Sequence, residues 1–232
     1  MFANVSAMHT GFVDVWRGDL ASEARRLAEL ERLLSDGERE RALSFRNRQA
    51  RERFVVGRGM LREVLAGYLC RDPRGLQFAA GEHGKPFLLG ESLCFNLSHS
   101  GDCWLLAVSD MAAIGVDVEN IRPRSGMQAI ARRCFSENEY GYWLSLPELK
   151  REQAFFRLWT LKEAFVKAVG RGIALGLERC EIDTPSFAGF ASVPDEHGPA
   201  VAWGLKELEV GVDHLAALVT PNRDYAFRWL PI

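Results

Sequence analysis

The chain has 232 residues, of which 47% are hydrophobic and 26% are charged. This balance is typical of a folded globular protein and excludes a disordered one, and the length suits one large domain or two smaller ones. The 29 Lys and Arg residues against 31 Asp and Glu residues leave a net charge of −2. That value argues against a protein that coats nucleic acid, because such a protein carries a strong basic excess.

The beginning of the chain and its cysteines predict a cytoplasmic protein that does not enter a membrane. Residues 1–16 lack the basic and apolar segments of a secretory signal, and no apolar run approaches the roughly 20 residues of a membrane span. The cysteines are scattered and form no C-x-x-C pair, which disfavours a disulfide scaffold or a zinc site. There are five of them: Cys70, Cys94, Cys103, Cys134 and Cys180.

The first half of the chain predicts a strand, two helical regions and then several short strands. Residues 12–17 alternate in polarity, as a strand does, and apolar residues at helical spacing predict a helix over 21–34. Ser35 and Glu38 form a capping-box pattern, which starts a second helical region that extends, with or without a break, to about Cys70. Short β-like runs separated by turn residues follow at 76–79, 87–89, 93–97, 103–109 and 112–119.

The second half returns to helices and ends with strands. Helical periodicity covers 126–135 and begins again after Ser136, which forms a capping-box pattern with Glu139. It also covers 150–169, where Gly170 suits a helix C-cap. Strand-like runs then lie at 180–183, 201–210, 215–220 and 225–230. Helices and antiparallel strands are therefore mixed, which predicts an α+β (mixed α/β) fold. A junction between two lobes is predicted near 109–113.

An arginine-rich segment dominates the charge pattern. Residues 39–62 contain eight arginines and two acids, for a local charge of +6, so the rest of the chain carries −8. Guanidinium groups pair with phosphate oxygens through two hydrogen bonds, and the segment therefore predicts a site for a multiply phosphorylated ligand. The alternative is a solvated helix face whose acidic partners lie elsewhere in space.

Three acids and a lysine predict a metal and phosphate site. In the predicted strand Ile114–Glu119, alternation places Asp117 and Glu119 on one face, beside a glycine that opens space. Two such carboxylates can share a hard cation such as Mg²⁺, and the alternative is an edge strand with solvated acids. On the predicted helix 150–169, Glu163 is a third ligand or a base, and Lys167 is a phosphate contact. The alternative for this pair is ordinary helix stabilisation, since the two are four residues apart.

Ser98 and His99 lie where a predicted strand enters a polar turn. Neighbours on a strand face opposite ways, so these two cannot form a nucleophile–base pair directly. The chain also lacks the Walker A, G-x-G-x-x-G, G-x-S-x-G and H-E-x-x-H patterns. Their absence disfavours the commonest kinases, dehydrogenases, hydrolases and zinc peptidases.

Five segments, taken in order, resemble the successive signatures of the Sfp-type 4′-phosphopantetheinyl transferases. They are Gly84-Lys-Pro86, Phe95-Asn-Leu-Ser-His-Ser100, Ile114-Gly-Val-Asp-Val-Glu119, Phe135-Ser-Glu-Asn-Glu139 and Trp159-Thr-Leu-Lys-Glu-Ala-Phe-Val-Lys167. With the arginine-rich stretch Arg51–Arg58 before them and Gly170-Arg-Gly172 after them, the resemblance covers about residues 50–172. Each motif is weak alone, and their order and spacing make the set specific.

The resemblance implies a monomeric pseudo-dimer of two similar lobes, each with antiparallel strands packed against helices, and with coenzyme A bound between them. We expect lobes at 1–111 and 112–232, the second carrying the metal-binding acids. Members of the family transfer the 4′-phosphopantetheine group from coenzyme A to a serine of an apo acyl or peptidyl carrier protein. The reaction depends on Mg²⁺, with Mn²⁺ as an alternative ion, and releases 3′,5′-ADP. The implied partners are coenzyme A and the carrier protein, with no nucleic acid and no membrane.

The resemblance also implies roles for individual residues. Asp117, Glu119 and Glu163 resemble the metal ligands, and Lys167 resembles the residue near the pyrophosphate. Residues that resemble contacts to coenzyme A are Arg53, Lys85, Pro86, Ser98, His99 and Lys167. Arg53 is the best match to the phosphate-binding arginine of the first lobe, and Arg48 and Arg58 are alternatives.

Glu163 and Lys167 are the candidate catalytic residues. Cleavage of the diphosphate develops negative charge that a metal and a cation stabilise. The hypothesis is that Glu163 removes the serine proton directly or through a metal-bound water. Arg132 and Arg133, with Met127 nearby, predict a docking face for an acidic carrier protein. The alternative for these two arginines is ordinary surface charge.

Two other functions stay open at the level of sequence. The three acids also suit a Mg²⁺-dependent phosphohydrolase or nuclease, but nucleases of the Asp…Glu-x-Lys type need a lysine where this chain has Ile121. The second alternative is a non-catalytic module that binds coenzyme A or a carrier protein. It is disfavoured because all three acids and Lys167 are present.

Overall fold

Two sheets form the centre of the computed structural model, which describes residues 11–172, 175–222 and 224–232. The first sheet has the order β11-β1-β5-β4. Its strands are β1 (Phe12–Asp19), β4 (Cys94–Ser100), β5 (Cys103–Ser109) and β11 (Ala226–Pro231). The second sheet has the order β6-β10-β9, with β6 (Gly115–Asn120), β9 (Trp203–Leu208) and β10 (His214–Pro221). All neighbours are antiparallel except β1 and β11, which are parallel.

Two long helices cover these sheets, α4 (Arg48–Leu69) and α7 (Glu148–Val169). The shorter helices are α1 (Leu20–Glu23), α2 (Leu27–Glu31), α3 (Asp36–Ser44), α5 (Met127–Cys134) and α6 (Glu137–Ser145). Both predicted capping boxes are confirmed, at Ser35 and Ser136, and Gly170 ends α7 in the left-handed conformation. The single helix predicted over 21–34 is wrong, because a 3₁₀ turn at Ala24–Arg26 interrupts it. Arg26 in that turn binds three glutamates.

The core lies in three layers between the sheets and the long helices. Trp104, Leu106 and Val108 of β5 face the cluster that contains α4, whereas Leu105 and Ala107 face the second sheet. A strand that is buried on both faces needs apolar residues at nearly every position, which explains the continuous apolar run of β5. A third cluster packs α7 against β10 and the helices α5 and α6. The order of the layers is therefore helix, sheet, sheet and helix.

Two small hairpins complete the described structure. One joins β2 (Phe78–Ala80) to β3 (Pro86–Leu88), and the other joins β7 (Glu181–Ile182) to β8 (Phe190–Ser192). The predicted α+β class is confirmed. The division into lobes 1–111 and 112–232 remains a proposal. Strand β11 falls within the range of the second of these lobes, but it lies beside β1 in the first sheet. Among the described residues, none of the helices combines the length and the apolar character needed to cross a membrane.

A buried ion pair holds α7 against the segments around it. The side chains of Lys162 and Glu139 are fully buried, and the Lys162 ammonium donates to the Glu139 carboxylate and to the Cys180 carbonyl. Glu139 also accepts from the backbone N–H of Ile182 at 2.8 Å. Lys162 is therefore a structural residue that fixes one face of α7, the helix that carries Glu163 and Lys167.

Candidate active site

Helix α7 crosses strand β6 at Gly115, and this close approach places the acids of the two elements together. A Cβ atom at position 115 would lie 2.0 Å from the Ala164 carbonyl oxygen and 2.4 Å from the Ala168 nitrogen. Only glycine allows the helix backbone to approach the strand so closely. The space that this glycine opens is therefore filled by the helix, and not by a cation as the sequence pattern suggested.

Side chains of β4 form a second connection to β6, and the sequence analysis missed it. The Asn96 side-chain oxygen accepts from the Val116 N–H at 2.8 Å, and the Ser98 hydroxyl accepts from the Val118 N–H at 3.3 Å. The Ser100 hydroxyl accepts from the Asn120 N–H at 3.0 Å. Polar residues at every second position of an otherwise apolar strand were the available signal. These bonds join the edges of the two sheets and fix the strand that carries the acids.

Asp117 lies at the centre of a buried polar group. Its Oδ1 atom accepts from the Ser98 hydroxyl at 2.9 Å and from the Lys167 ammonium at 2.6 Å, and Lys167 also donates to Ser98 at 2.9 Å. Only 4% of Asp117 is exposed, and burial raises its pKa in spite of the Lys167 charge. The predicted residues Ser98, Asp117 and Lys167 are therefore brought together.

Glu119 and Glu163 lie beside this group. Glu119 accepts from the Ser100 hydroxyl at 3.3 Å and from the Trp159 indole N–H at 3.2 Å, and sequence reasoning missed Trp159. Burial and the negative charge of Asp117 raise the pKa of Glu119. Burial, followed by the charge of Asp117, raises the pKa of Glu163 to about 7. Three carboxylates thus lie close enough to disfavour each other's ionisation.

The donor set of these acids fits Mg²⁺ in its chemistry, although the side chains are not arranged around one point. Within residues 11–172, 175–222 and 224–232, no group of three or more His, Cys, Asp and Glu side chains is placed to hold a metal ion. Asp117 Oδ2 and Glu163 Oε1 are nevertheless buried, and neither has a hydrogen-bond partner among those residues. Such oxygens are costly to bury alone, and carboxylate oxygens are the ligands that Mg²⁺ prefers. A cation there would offset both penalties.

A basic cavity of about 530 Å³ is lined by residues of α3, α4, the β2–β3 hairpin and β4. Arg41, Arg53 and His99 line it, as do Gly84 and Pro86 of the β2–β3 hairpin. His99 and Ser98 face opposite ways as predicted, since Ser98 points to Asp117. Desolvation and the charges of Lys167 and Arg53 lower the pKa of His99. Three arginines (Arg41, Arg53 and Arg58) and one acid, Glu38, line the cavity, so an excess of positive charge faces an anionic ligand.

Most of the eight arginines of 39–62 have acidic partners, as the alternative interpretation of that segment required. Six of them pair with carboxylates: Arg39, Arg48, Arg51, Arg53, Arg58 and Arg62. Arg53 and Arg58 line the basic cavity and Arg48 does not. Arg41, which sequence reasoning did not single out, also lines it and has no carboxylate partner within the described part of the chain. Its guanidinium lies 5.7 Å from the Phe54 ring.

The structure does not bring the Lys85 ammonium into this cavity. Lys85 Nζ donates to the carbonyl oxygens of Ile114 at 2.9 Å and Ala168 at 3.0 Å. Its neighbours Gly84 and Pro86 line the basic cavity, because alternate residues of an extended segment face opposite ways. The expected side-chain contact from Lys85 to the nucleotide is therefore not supported by this geometry.

Arg132 and Arg133 lie on the last turn of α5 and are exposed. The Arg132 guanidinium lies 5.4 Å from the Tyr140 ring, and Met127 packs partly buried against the α7 cluster. The two arginines therefore form an accessible basic surface.

Comparisons with known proteins identify the class of this fold and site. Residues 21–111 match the family model described as 4′-phosphopantetheinyl transferase, N-terminal. Residues 113–219 match the model of the 4′-phosphopantetheinyl transferase superfamily. Both halves of the chain thus correspond to one kind of enzyme.

Curated relatives agree with these matches along most of the chain. The 4′-phosphopantetheinyl transferase HetI of Nostoc sp. is 40% identical over 94% of this chain and 90% of its own length. The 4′-phosphopantetheinyl transferase Sfp of Bacillus subtilis is 30% identical over 84% of this chain and 91% of its own length. The chain belongs to the 4′-phosphopantetheinyl transferase superfamily, and the resemblance predicted from its motifs is confirmed. Its prediction as an enzyme of this class is confirmed as well.

Proposed function

We propose that this enzyme transfers the 4′-phosphopantetheine group from coenzyme A to a serine of an apo acyl or peptidyl carrier protein. The observation that carries the proposal is the group of buried carboxylates beside Lys167, together with the basic cavity lined by His99, the residue that follows Ser98, in a chain of this family. A diphosphate that bridges the two regions would meet positive charge at one end and carboxylates suited to a cation at the other.

The nucleotide end of coenzyme A is assigned to the basic cavity. Arg41 and Arg53 supply the guanidinium groups for its phosphates, and His99 lines the same cavity. Arg53 already forms an ion pair with Asp102 at 2.8 Å, so phosphate binding there exchanges one anionic partner for another. Arg41 has no carboxylate to give up within the described residues, and it offers the less costly contact.

Asp117, Glu119 and Glu163 are assigned as the residues that would hold Mg²⁺ or Mn²⁺. When bound, the ion offsets negative charge that develops on the diphosphate oxygens as the bond breaks. Lys167 is assigned to the same oxygens. Its ammonium now donates to Asp117 and Ser98, and donation to a phosphate would exchange these partners for phosphate oxygens.

The transfer step itself needs one proton acceptor. The carrier serine oxygen attacks the phosphorus that bears the pantetheine oxygen, and the bond from that phosphorus to the bridging oxygen breaks to release 3′,5′-ADP. The serine proton passes to the Glu163 carboxylate. Glu163 Oε1 has no hydrogen-bond partner among the described residues, so this atom is open to accept the proton.

Substitution of Glu163 tests this assignment. Glu163→Gln keeps the size of the side chain but removes its basicity, so we expect transfer to be abolished while coenzyme A still binds. Transfer is followed by the mass of the carrier protein, and binding is followed by calorimetry in the same buffer. Turnover near that of the wild type would contradict the assignment of Glu163.

The carrier protein is assigned to the exposed basic surface on α5, and the enzyme is proposed to act as a monomer. Arg132 and Arg133 would pair with acidic residues of the carrier, and pairs at the rim of an interface mainly govern association. Reversal of both charges to glutamate should raise KM for the carrier and leave the affinity for coenzyme A unchanged. An unchanged KM would place docking elsewhere.

A further inference from the structure

Lys85 occupies the seam between the two halves of the molecule. It belongs to the β2–β3 hairpin region of the first lobe, directly before β3, and its ammonium reaches two carbonyl oxygens of the second lobe. Charge-assisted hydrogen bonds of this kind are roughly twice as strong as neutral ones. No other lysine side chain in the described parts of the chain joins the hairpin to β6 and α7 in this way.

The first carbonyl extends the ladder between β4 and β6. Asn96, Ser98 and Ser100 accept from the N–H groups of residues 116, 118 and 120. Lys85 binds the carbonyl of Ile114, which directly precedes β6 at the other end of the same row. The strand that carries Asp117 and Glu119 is thereby fixed along its full length.

The second carbonyl belongs to the end of α7. Ala168 is one residue after Lys167, and the last four carbonyls of a helix have no donor within the helix. A positive charge at a helix C-terminus is also favoured by the helix dipole. Gly170 admits the Lys85 stem, because a Cβ atom at 170 would lie 3.3 Å from Lys85 Cδ.

We propose that Lys85 is a positioning residue that holds the β2–β3 hairpin in register with β6 and α7. The hairpin residues Gly84 and Pro86 line the basic cavity, whereas β6 and α7 carry the three acids. The ammonium therefore sets the distance between the part of the site that holds the nucleotide and the part that acts on the diphosphate. This inference rests on the proposed transfer function.

Lys85 lines a second cavity, which Pro86 also borders, and it does not line the basic cavity. The second cavity has a volume of about 390 Å³ and is bordered by Cys94, Met111 and Ala168. The ammonium is already engaged by two carbonyls there, so a direct contact with the nucleotide would require both bonds to break. A role as a positioning residue and a role as a phosphate ligand thus predict different kinetics.

The test compares Lys85→Met with the wild type and with Lys150→Met, in which an exposed lysine of α7 is removed. Coenzyme A and its analogue without the 3′-phosphate serve as donor substrates with one apo carrier protein. We measure turnover, KM and the melting temperature of each protein. Calorimetry without the carrier protein gives the affinity for each donor. Wild-type transfer is confirmed first, so failure of the proposed function is seen before any variant is interpreted.

We expect Lys85→Met to lower kcat by roughly tenfold to a hundredfold, the cost of a displacement of about 1 Å at a reacting centre. Donor affinity and the preference for coenzyme A over the analogue should stay at wild-type values, as should all properties of Lys150→Met. Lys85→Arg should restore part of the lost kcat, because a guanidinium also donates to two carbonyls. If Lys85→Met is not folded, Lys85→Gln carries the same comparison.

Two results would overturn the inference. Loss of donor affinity together with loss of the preference for the 3′-phosphate would make Lys85 a phosphate ligand. An unchanged kcat in folded Lys85→Met, even with a lower melting temperature, would make its bonds purely structural.

Discussion

Substitution of Gly115 by alanine tests the contact that brings α7 onto β6. The added Cβ atom would lie 2.0 Å from the Ala164 carbonyl oxygen and 2.4 Å from the Ala168 nitrogen. Both atoms belong to the helix backbone, so no side chain can rotate to relieve the overlap. Ordinary contact begins at 3.4 Å, and the helix must therefore withdraw by about 1.4 Å at this point.

That withdrawal has a cost in stability and a larger cost in turnover. Overpacking of a core costs about 1–3 kcal/mol, which corresponds to about 2–4 °C in Tm per kcal/mol for a chain of this size. Because Glu163 and Lys167 lie on the displaced helix, they would move away from Asp117. A displacement of about 1 Å reduces a rate by about a hundredfold, so kcat should fall much more than the fraction of folded protein does.

Stability is measured by urea unfolding, and kcat is measured from the steady-state rate of transfer to one carrier protein. Gly67→Ala is the matched control. Gly67 lies in α4 with nothing within 4 Å of an added Cβ atom, so its replacement should stabilise the helix by up to about 1 kcal/mol and leave kcat unchanged. If Gly115→Ala were as stable and as active as Gly67→Ala, the close crossing of α7 and β6 would be refuted.

Three further predictions concern stability, pH and the metal. Lys162→Met strands the buried Glu139 carboxylate and should lower the free energy of unfolding by about 3–5 kcal/mol; a loss near zero in urea titration would contradict the buried pair. Burial raises the pKa of Glu38, but its bonds from Arg62, Ser35 and Arg58 outweigh this and lower it below the ordinary 4.5. The contribution of Glu38 to the free energy of unfolding is therefore present above pH 4.5 and lost as the pH falls through the lowered pKa. In Glu38→Gln, this part of the pH dependence of unfolding should disappear. An unchanged pH dependence would contradict the pairing of Glu38. Removal of divalent cations with a chelator should stop transfer until Mg²⁺ or Mn²⁺ is added back, and transfer that persists without them would contradict the metal assignment.

Local sequence patterns predicted the elements that are stabilised by contacts between residues close together in the chain. Ser35 and Ser136 predicted where two helices begin, because a capping box is formed by residues three positions apart, and both boxes are present. Alternation over 114–119 predicted a strand with its apolar face buried, and Val116 and Val118 are buried in β6. The grouping of Ser98, Asp117 and Lys167 followed from the family motifs, since their separate elements meet only in the folded chain.

What the sequence missed depends on contacts between distant segments. The charge of 39–62 predicted a phosphate site or a solvated face, and carboxylates from α2, α3 and the β4–β5 turn pair with several of its arginines. Lys85 resembled a ligand contact, yet its ammonium donates to the carbonyls of Ile114 and Ala168. Every residue has a backbone carbonyl, so the sequence does not indicate which carbonyls a lysine will bind. The placement of β11 beside β1 likewise joins residues more than 200 positions apart.

The most direct test of the proposed function is the mass of a carrier protein after incubation with this enzyme. Apo acyl and peptidyl carrier proteins are mixed separately with coenzyme A, Mg²⁺ and either the wild type or Glu163→Gln, and each carrier is weighed by mass spectrometry. The wild type should add one phosphopantetheine group to a carrier serine and release 3′,5′-ADP, and Glu163→Gln should add none. Carriers of unchanged mass with the wild type, or equal modification by both proteins, would contradict the assignment of this site as a phosphopantetheinyl transfer centre.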